Sequence, residues 1–580
     1  MNDYESHLRP DKGIFPLCEM ADKGAERYGS KPIMRTWNGS GYNEITYIEF
    51  KEMVDAIALW LVEQEIQAGD RVAVLGENRP EWGACYLGIQ KAGAVTVPVD
   101  SMMPATGIRH ILSDSKSRIL FSSSRFIREI AEVATIKTLE KVVYFDDECV
   151  ENSYPFDMVL QIGKTSKAKP RKRKLEDLAA ILYTSGTTGH SKGVMLSHNN
   201  IISNVAAASR IYDINHKDTF LSVLPIHHSF ECTAGFLLPV YCGCSITYSH
   251  SLKSIDLIAD IRNTRVSMMV GVPLLFEKMH DGILRGIKKK GKKTERLFNI
   301  MYSAAKLGGS IGIEIGEKAF KGLREKAGFA TVRFFVSGGG PLDPATAVFF
   351  NNIGIRLLQG YGLTETSPVT HVIPPWRVRH ETVGPPIPGV ECKLIDINEQ
   401  GVGEICVKGP NIFMGYYKND AATHDVMDAD GWFRTGDLGT IFDDKYLQIH
   451  GRLKNMLVTG GGKNVYPEEV EHYLNRNIFI AESLVLGIPR ESGYGEEVAA
   501  LIFPDYEQLD VYFENQNTKA TDTDVFKLIK SEIAEAQKDL AEYKRVKKFR
   551  IVESEFEKTS TRKIKRYLYS GNMVTMNNGG

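Results

Sequence analysis

At 580 residues the chain is longer than one hydrophobic core usually serves, which excludes a single small module and predicts two or more domains. Its 43% hydrophobic and 25% charged residues are those of an ordinary globular protein and exclude collagen-like, coiled-coil and disordered classes. The 71 basic residues nearly cancel 72 acidic ones, so no global field marks a nucleic-acid binder and any electrostatic function has to be local.

The opening segment, MNDYESHLRPDKGIF, carries acids and no apolar signal-type region, and no uninterrupted apolar stretch reaches a bilayer-spanning length. A cytoplasmic protein is expected. The 8 cysteines are scattered without a CxxC pair, only Cys242 and Cys244 being close, which predicts reduced thiols packed in a core.

Residues 46–100 read as helix, strand, helix, strand: ITYIEFKEMVDAIALWLVEQ has helical apolar spacing, while RVAVLGEN and AVTVPVD are short buried strands. ILFSSS, KVVYFDD, AAILYTS, VSMMVGVP and VRFFVSGGG repeat the pattern, each run ending in small or turn residues, as in largely parallel sheets flanked by helices. Two basic runs stand out, Lys164 to Lys174 and Arg285 to Lys293, the second followed by LFNIMYSAAKL. Each reads either as a solvated linker or helix face, or as contact with a membrane surface. Beyond about residue 451 come a Gly-rich TGGGKN, a helix from Pro467, strands SLVLGIP and EVAALIFP, and a long helix around 523–543. That change of texture predicts a separate small α/β domain, ended by a polar tail, GNMVTMNNGG, expected to fray.

The sharpest local signal is the run Thr184-Ser185-Gly186-Thr187-Thr188-Gly189-His190-Ser191-Lys192-Gly193 after an apolar strand. Small residues let backbone N–H groups approach an anion, hydroxyls add donors and Lys192 adds charge, so a polyphosphate is the natural guest. It is not a Walker A loop, because Gly193 follows Lys192 where Ser or Thr would be required.

This loop resembles the phosphate loop of the adenylate-forming superfamily of acyl-CoA synthetases, luciferases and peptide-synthetase adenylation domains. Further motifs similar to that family's follow in order: LPIHHSFE (224–231), SGGGPLD (337–343), QGYGLTETSP (359–368), GEICVKGPNIFMGYYKN (403–419), GWFRTGDLG (431–439), GRLKNMLVTGGGKNVYPEEVE (451–471) and EKTSTRKIKR (557–566). The resemblance covers residues 46 to 570 and implies an α/β fold: a large N-terminal domain of flanked β-sheets, 1–451, and a small mobile C-terminal α/β domain, 452–570, before the tail 571–580.

The resemblance also implies roles. Thr184 and Glu365 would hold Mg2+, with Ser185, Gly186, Thr187, Thr188, Gly189 and Lys192 around the ATP phosphates. Gly339, Gly340 and Pro341, with Gln359, Gly360, Tyr361, Gly362 and Thr364, would line the adenine site; Asp437 and Arg452 would serve the ribose. Lys563 matches the catalytic lysine, although Glu557 and Arg562 replace the family's Pro and Gly around it and Ser191 replaces a Pro in the phosphate loop. His228 aligns with the histidine near the carboxylate, with His227 beside it and a packed histidine as the alternative; Lys454 takes the hinge position.

The implied reaction has two halves. A carboxylate attacks the ATP α-phosphate and expels pyrophosphate, and the coenzyme A thiolate then takes the acyl group and releases AMP. The segment 279–327 and LPIHHSFE resemble long-chain fatty-acid members, so the expected partners are a fatty acid, ATP and coenzyme A, with no nucleic acid. Alternatives are a fatty acyl-AMP ligase or acyl-carrier-protein synthetase, a CoA ligase for another acid, an amino-acid adenylating enzyme using Glu231, and a nucleotide-binding regulator without turnover.

Overall fold

Thr46 and Glu49 form a reciprocal capping box, each side chain accepting the other's backbone N–H, and from it the helix Tyr47–Glu63 buries Phe50, Val54, Ile57 and Leu61 along one stripe. The strand Arg71–Leu75, the helix Pro80–Lys91 with proline in its first turn, and the strand Val95–Val99 complete the alternation expected there. The computed structural model describes residues 2–133, 135–146, 153–184, 191–310, 315–442, 445–490, 495–516, 518, 520–559 and 563–569. Ser185, Gly186, Thr187, Thr188, Gly189, Arg562 and the tail 571–580 lie outside them.

The chain divides into two compact units, one comprising Met1–Cys392, Val407–Phe433 and Asp443–Tyr446, the other Lys393–Cys406, Arg434–Phe442 and Leu447–Gly580. The first holds two eight-stranded sheets. In one, Val95–Val99, Arg71–Leu75, Ile119–Ser122 and Lys141–Tyr144 run parallel, but Leu178–Thr184 and Lys192–Ser197 form an antiparallel hairpin at the side, with Gly415–Tyr416 added antiparallel beyond it. The hairpin departs from the parallel expectation because the few residues between Thr184 and Lys192 are too short for a parallel crossover.

The other sheet has Arg356–Gly362, Phe334–Ser337, Met268–Gly271, Thr219–Ser222 and Ser245–Tyr248 in parallel, so their carboxyl ends share one edge. Phe335, Leu357, Met269 and Leu221 of these strands pack with Phe276, Phe298, Phe320 and Phe349 in one apolar cluster, to which the helices Pro273–Lys289 and Lys292–Ser310 of the long insert contribute.

In the second unit the strands Ile480–Pro489, Glu496–Pro504 and Lys548–Ile551 form a sheet covered by the helices Pro467–Leu474 and Asp522–Ala536. The last helix stops at Ala536, short of the expected 543, because the buried Gln537 side chain turns to bond both backbone groups of Val546. Among the described residues no helix is long and apolar enough to cross a membrane.

Candidate active site

The four parallel strands Thr219–Ser222, Met268–Gly271, Phe334–Ser337 and Arg356–Gly362 deliver the motif loops at their carboxyl ends, where ligands collect on open α/β sheets. Contacts tie the loops together. Ser229 and Thr364 share a hydroxyl hydrogen bond of 3.2 Å, and Gln359 Nε2 donates to Gly340 O at 3.5 Å. Phe230 packs so closely on Gly338 that a Cβ there would lie 2.9 Å from its ring. At Gly362 a Cβ would meet Pro368 O at 1.8 Å, so only glycine lets QGYG fold back onto the segment after Glu365. Tyr361 pairs with His371 across the adjoining antiparallel strands, their rings 6.0 Å apart. Gly339, with φ +81°, and Pro341 continue the loop out of Phe334–Ser337.

Thr184 ends one strand of the hairpin and is paired with Lys192, which starts the other. The strand Gly415–Tyr416 lies along this second strand, in register at Tyr416 and Val194, and carries a residue that motif matching alone did not single out. The Tyr416 hydroxyl donates to Glu365 Oε1 at 2.9 Å, and the Lys192 ammonium sits 5.0 Å from the centre of the same ring. One tyrosine thus touches both the candidate metal carboxylate and the candidate phosphate lysine. The Glu365 backbone is fixed as well, its carbonyl accepting from Phe413 N at 2.9 Å.

His227 and His228 separate by burial. His227 is buried, its Nε2 3.1 Å from Asp100 Oδ1, while His228 is half-buried with its ring centre 4.4 Å from that of His227. One nitrogen or oxygen from each of these three residues lies within 4.8 Å of the others. Three residues on, Glu231 opens a π-helical turn and is fully buried. Its Oε1 accepts from Ser222 Oγ at 2.6 Å, and burial pushes its carboxyl up to about 8 against the weaker pull of Ser222 and the Leu224 backbone. A carboxyl committed to the sheet in this way is a packing element of the turn. Asp100, the last residue of the AVTVPVD run, carried no functional signal in the sequence.

In the second unit, Asp437 and Arg452 face each other across antiparallel strands, Arg452 Nε 2.7 Å from Asp437 Oδ1, with Arg452 Nη1 donating to Thr435 O at 3.3 Å. Lys454 follows in the turn Leu453–Asn455; burial first, then Arg452, lowers its pKa, and Glu468 and Asp437 oppose the shift. Lys563 is bonded to Thr559 twice: Thr559 N donates to Lys563 O at 2.8 Å and Lys563 N to Thr559 Oγ1 at 3.2 Å. Crowding by protein lowers the Lys563 pKa, Arg452 adds to the effect and Asp437 opposes it. The residue as a whole stays exposed, so water still screens its charge in part. Asp437, Arg452, Lys454 and Lys563 all belong to the second unit.

The family described as AMP-binding enzyme matches residues 21–417. The chain is 29% identical to long chain acyl-CoA synthetase 6, peroxisomal, of Arabidopsis thaliana over 83% of its length and 71% of that protein's. It is likewise 29% identical to the long-chain-fatty-acid–CoA ligase FadD15 of Mycobacterium bovis over 90% of both chains. The fold matches the crystal structure of the anthranilate CoA ligase AuaEII in complex with anthranoyl-AMP, with a TM-score of 0.77 at 19% identity over 96% of this chain and 97% of that one. The chain belongs to the AMP-binding enzyme family, the adenylate-forming group that its motifs resemble.

Proposed function

We propose that this protein is an AMP-forming long-chain fatty acid–CoA ligase. The observation that carries the catalytic part is the Lys192–Tyr416–Glu365 arrangement beside the strand ends where the motif loops meet. The acyl part is supported by the substrates named for the two relatives and by the insert, whose helices feed Met279, Ile283, Leu284, Met301 and Tyr302 into the apolar cluster behind those strands.

In the proposed mechanism the fatty carboxylate attacks the α-phosphate of ATP and pyrophosphate departs. Lys192 binds the phosphates and Asp437 accepts from the ribose hydroxyls. Lys563 places positive charge where negative charge grows in the adenylation step. Thr184 and Glu365 would hold Mg2+, and their chemistry suits it: both offer hard oxygen atoms, and the Glu365 carboxylate is oriented by the Tyr416 hydroxyl. The ion would supply charge neutralisation for the leaving pyrophosphate. His228, half-buried and beside the buried His227, which contacts Asp100, is the candidate to orient the acyl carboxylate. The coenzyme A thiolate then attacks the acyl carbonyl and AMP leaves. Because the lysine and the thiol need the same space in turn, the C-terminal domain has to change position between steps, with Lys454 as its hinge.

The test is pyrophosphate release across fatty, aryl and amino acids, with and without coenzyme A. Each buried methylene contributes about 0.8 kcal/mol, so kcat/KM should climb with chain length until the acyl site ends. A flat profile, or a preference for benzoate or an amino acid, refutes the fatty-acid assignment; acyl-AMP that accumulates despite coenzyme A refutes the CoA step.

A further inference from the structure

The helix Lys292–Ser310 is apolar on two sides. Phe298 and Ala305 are buried, and with Met301 and Tyr302 they pack into the cluster behind the central strands. On the opposite side Leu297, Ile300 and Leu307 keep 58, 61 and 69% of their surface exposed. Their spacing puts them on one stripe, with the exposed Ala304 between them. A single exposed leucine needs no explanation, but three large apolar side chains aligned on one helix face are the mark of an interaction surface.

The amino-terminal end of the stripe is strongly basic. Lys288, Lys289, Lys290, Lys292, Lys293 and Arg296 are all exposed, and Lys293, four residues before Leu297, stands on the stripe itself. Between residues 285 and 310 the one acid is Glu295, which is half-buried and falls on another side of the helix.

We propose that this basic and apolar face docks the protein on the surface of a bilayer containing anionic phospholipid, the lysines and Arg296 meeting lipid phosphates and Leu297, Ile300 and Leu307 entering the headgroup boundary. Charge decides between occupants. A second copy would offer an apolar face but, with Glu295 the one acid between residues 285 and 310, no negative charge to meet the lysines, whereas an anionic bilayer supplies both. The docking is independent of which acid the enzyme activates.

The test is co-sedimentation of the full chain with vesicles of phosphatidylcholine alone and of phosphatidylcholine with about 30% phosphatidylglycerol. Binding is expected to the anionic vesicles and to weaken steeply as salt is raised. The triple variant Leu297→Ser, Ile300→Ser, Leu307→Ser should lower the partition coefficient by about tenfold or more, and Lys289→Gln, Lys292→Gln, Lys293→Gln by a similar factor. All six positions are exposed, so both variants should stay folded at the assay temperature, and a melting curve of each keeps lost binding distinct from lost folding. Failure of the parent chain to bind anionic vesicles, or equal binding by parent and both variants, overturns the proposal. So does a concentration-dependent dimer of the parent that the apolar variant dissolves while vesicle binding is unchanged.

Discussion

Tyr416→Phe isolates one bond in the candidate site. The substitution leaves the ring, and with it the Lys192 contact at 5.0 Å, but deletes the hydroxyl that donates to Glu365 Oε1 at 2.9 Å. A hydrogen bond to a charged group contributes about 1.5–3 kcal/mol. Glu365 is half-buried, so water can replace part of the lost bond and the lower end applies. About 1.4 kcal/mol is a tenfold effect, so kcat/KM for ATP should fall about tenfold and the Mg2+ concentration needed for half-maximal rate should rise. The KM for the acid should hold. Pyrophosphate release, measured against ATP at fixed Mg2+ and against Mg2+ at fixed ATP, reads both quantities. Tyr416→Leu, which also removes the ring beneath Lys192, should cost a further ~0.5–1 kcal/mol in ATP binding. If Tyr416→Phe leaves both the ATP and the Mg2+ dependence as they were, the hydroxyl does not orient Glu365 for the metal and the reasoning fails.

Lys563→Ala should suppress adenylate formation by about 10²–10³-fold while thioester formation from supplied acyl-adenylate persists; equal loss of both halves in single-turnover assays would make the lysine structural. Gly362→Ala would bring a Cβ to 1.8 Å from Pro368 O, so urea unfolding should show a loss of about 1–3 kcal/mol together with impaired ATP use, and a neutral result would show that the turn can open. Glu231 carries a carboxyl raised from 4.5 to about 8, so the folded state holds a proton that the unfolded chain releases, and stability is lost as pH rises between these values by about 1.4 kcal/mol per unit. Glu231→Gln keeps the acceptor for Ser222 and cannot ionise; its melting temperature should gain on the parent's from about pH 5 to about pH 8, and a pH-independent difference would refute a neutral buried acid.

Much of the architecture was written in short-range pattern. The strands Ile119–Ser122, Lys141–Tyr144, Met268–Gly271 and Phe334–Ser337 were legible because each is a brief apolar run closed by small or polar residues. What escaped depends on partners far along the chain. The end of the helix Asp522–Ala536 is set by a bond from Gln537 to Val546, which periodicity does not register. The difference in burial between His227 and His228, and the 3.1 Å contact of His227 with Asp100, 127 positions before it, could not be read from two adjacent histidines in sequence. Tyr416 lay inside a motif already quoted, but a tyrosine in GYYKN reads as strand packing; only the pairing of Gly415–Tyr416 with Lys192–Ser197 brings its hydroxyl to Glu365.

The carboxylate itself is held by a scaffold that neither histidine nor lysine chemistry would suggest. Asn204 Nδ2 donates to Val369 O at 2.6 Å and Asn411 Nδ2 to Thr366 O at 2.8 Å, fixing the backbone just after Glu365. Asn200 uses both ends of its amide: Oδ1 caps its own helix by accepting from Ser197 N at 2.9 Å, and Nδ2 donates to Pro410 O and Ile412 O, each at 2.8 Å. These amides are buried, where an orphaned partner costs more than the bond contributes, so the segment just after Glu365 and the segment just before Tyr416 are both bound to the helix His198–Ile211, and Asn411 ties them to each other. If Glu365 is the metal ligand proposed above, it must be aligned before the charge it serves develops, and alignment by neutral amides adds no charge that would compete with phosphates for Lys192 or with a metal for Glu365. On this view the conformational cost of placing the carboxylate is met during folding, and the binding energy of the nucleotide is left for the reacting groups.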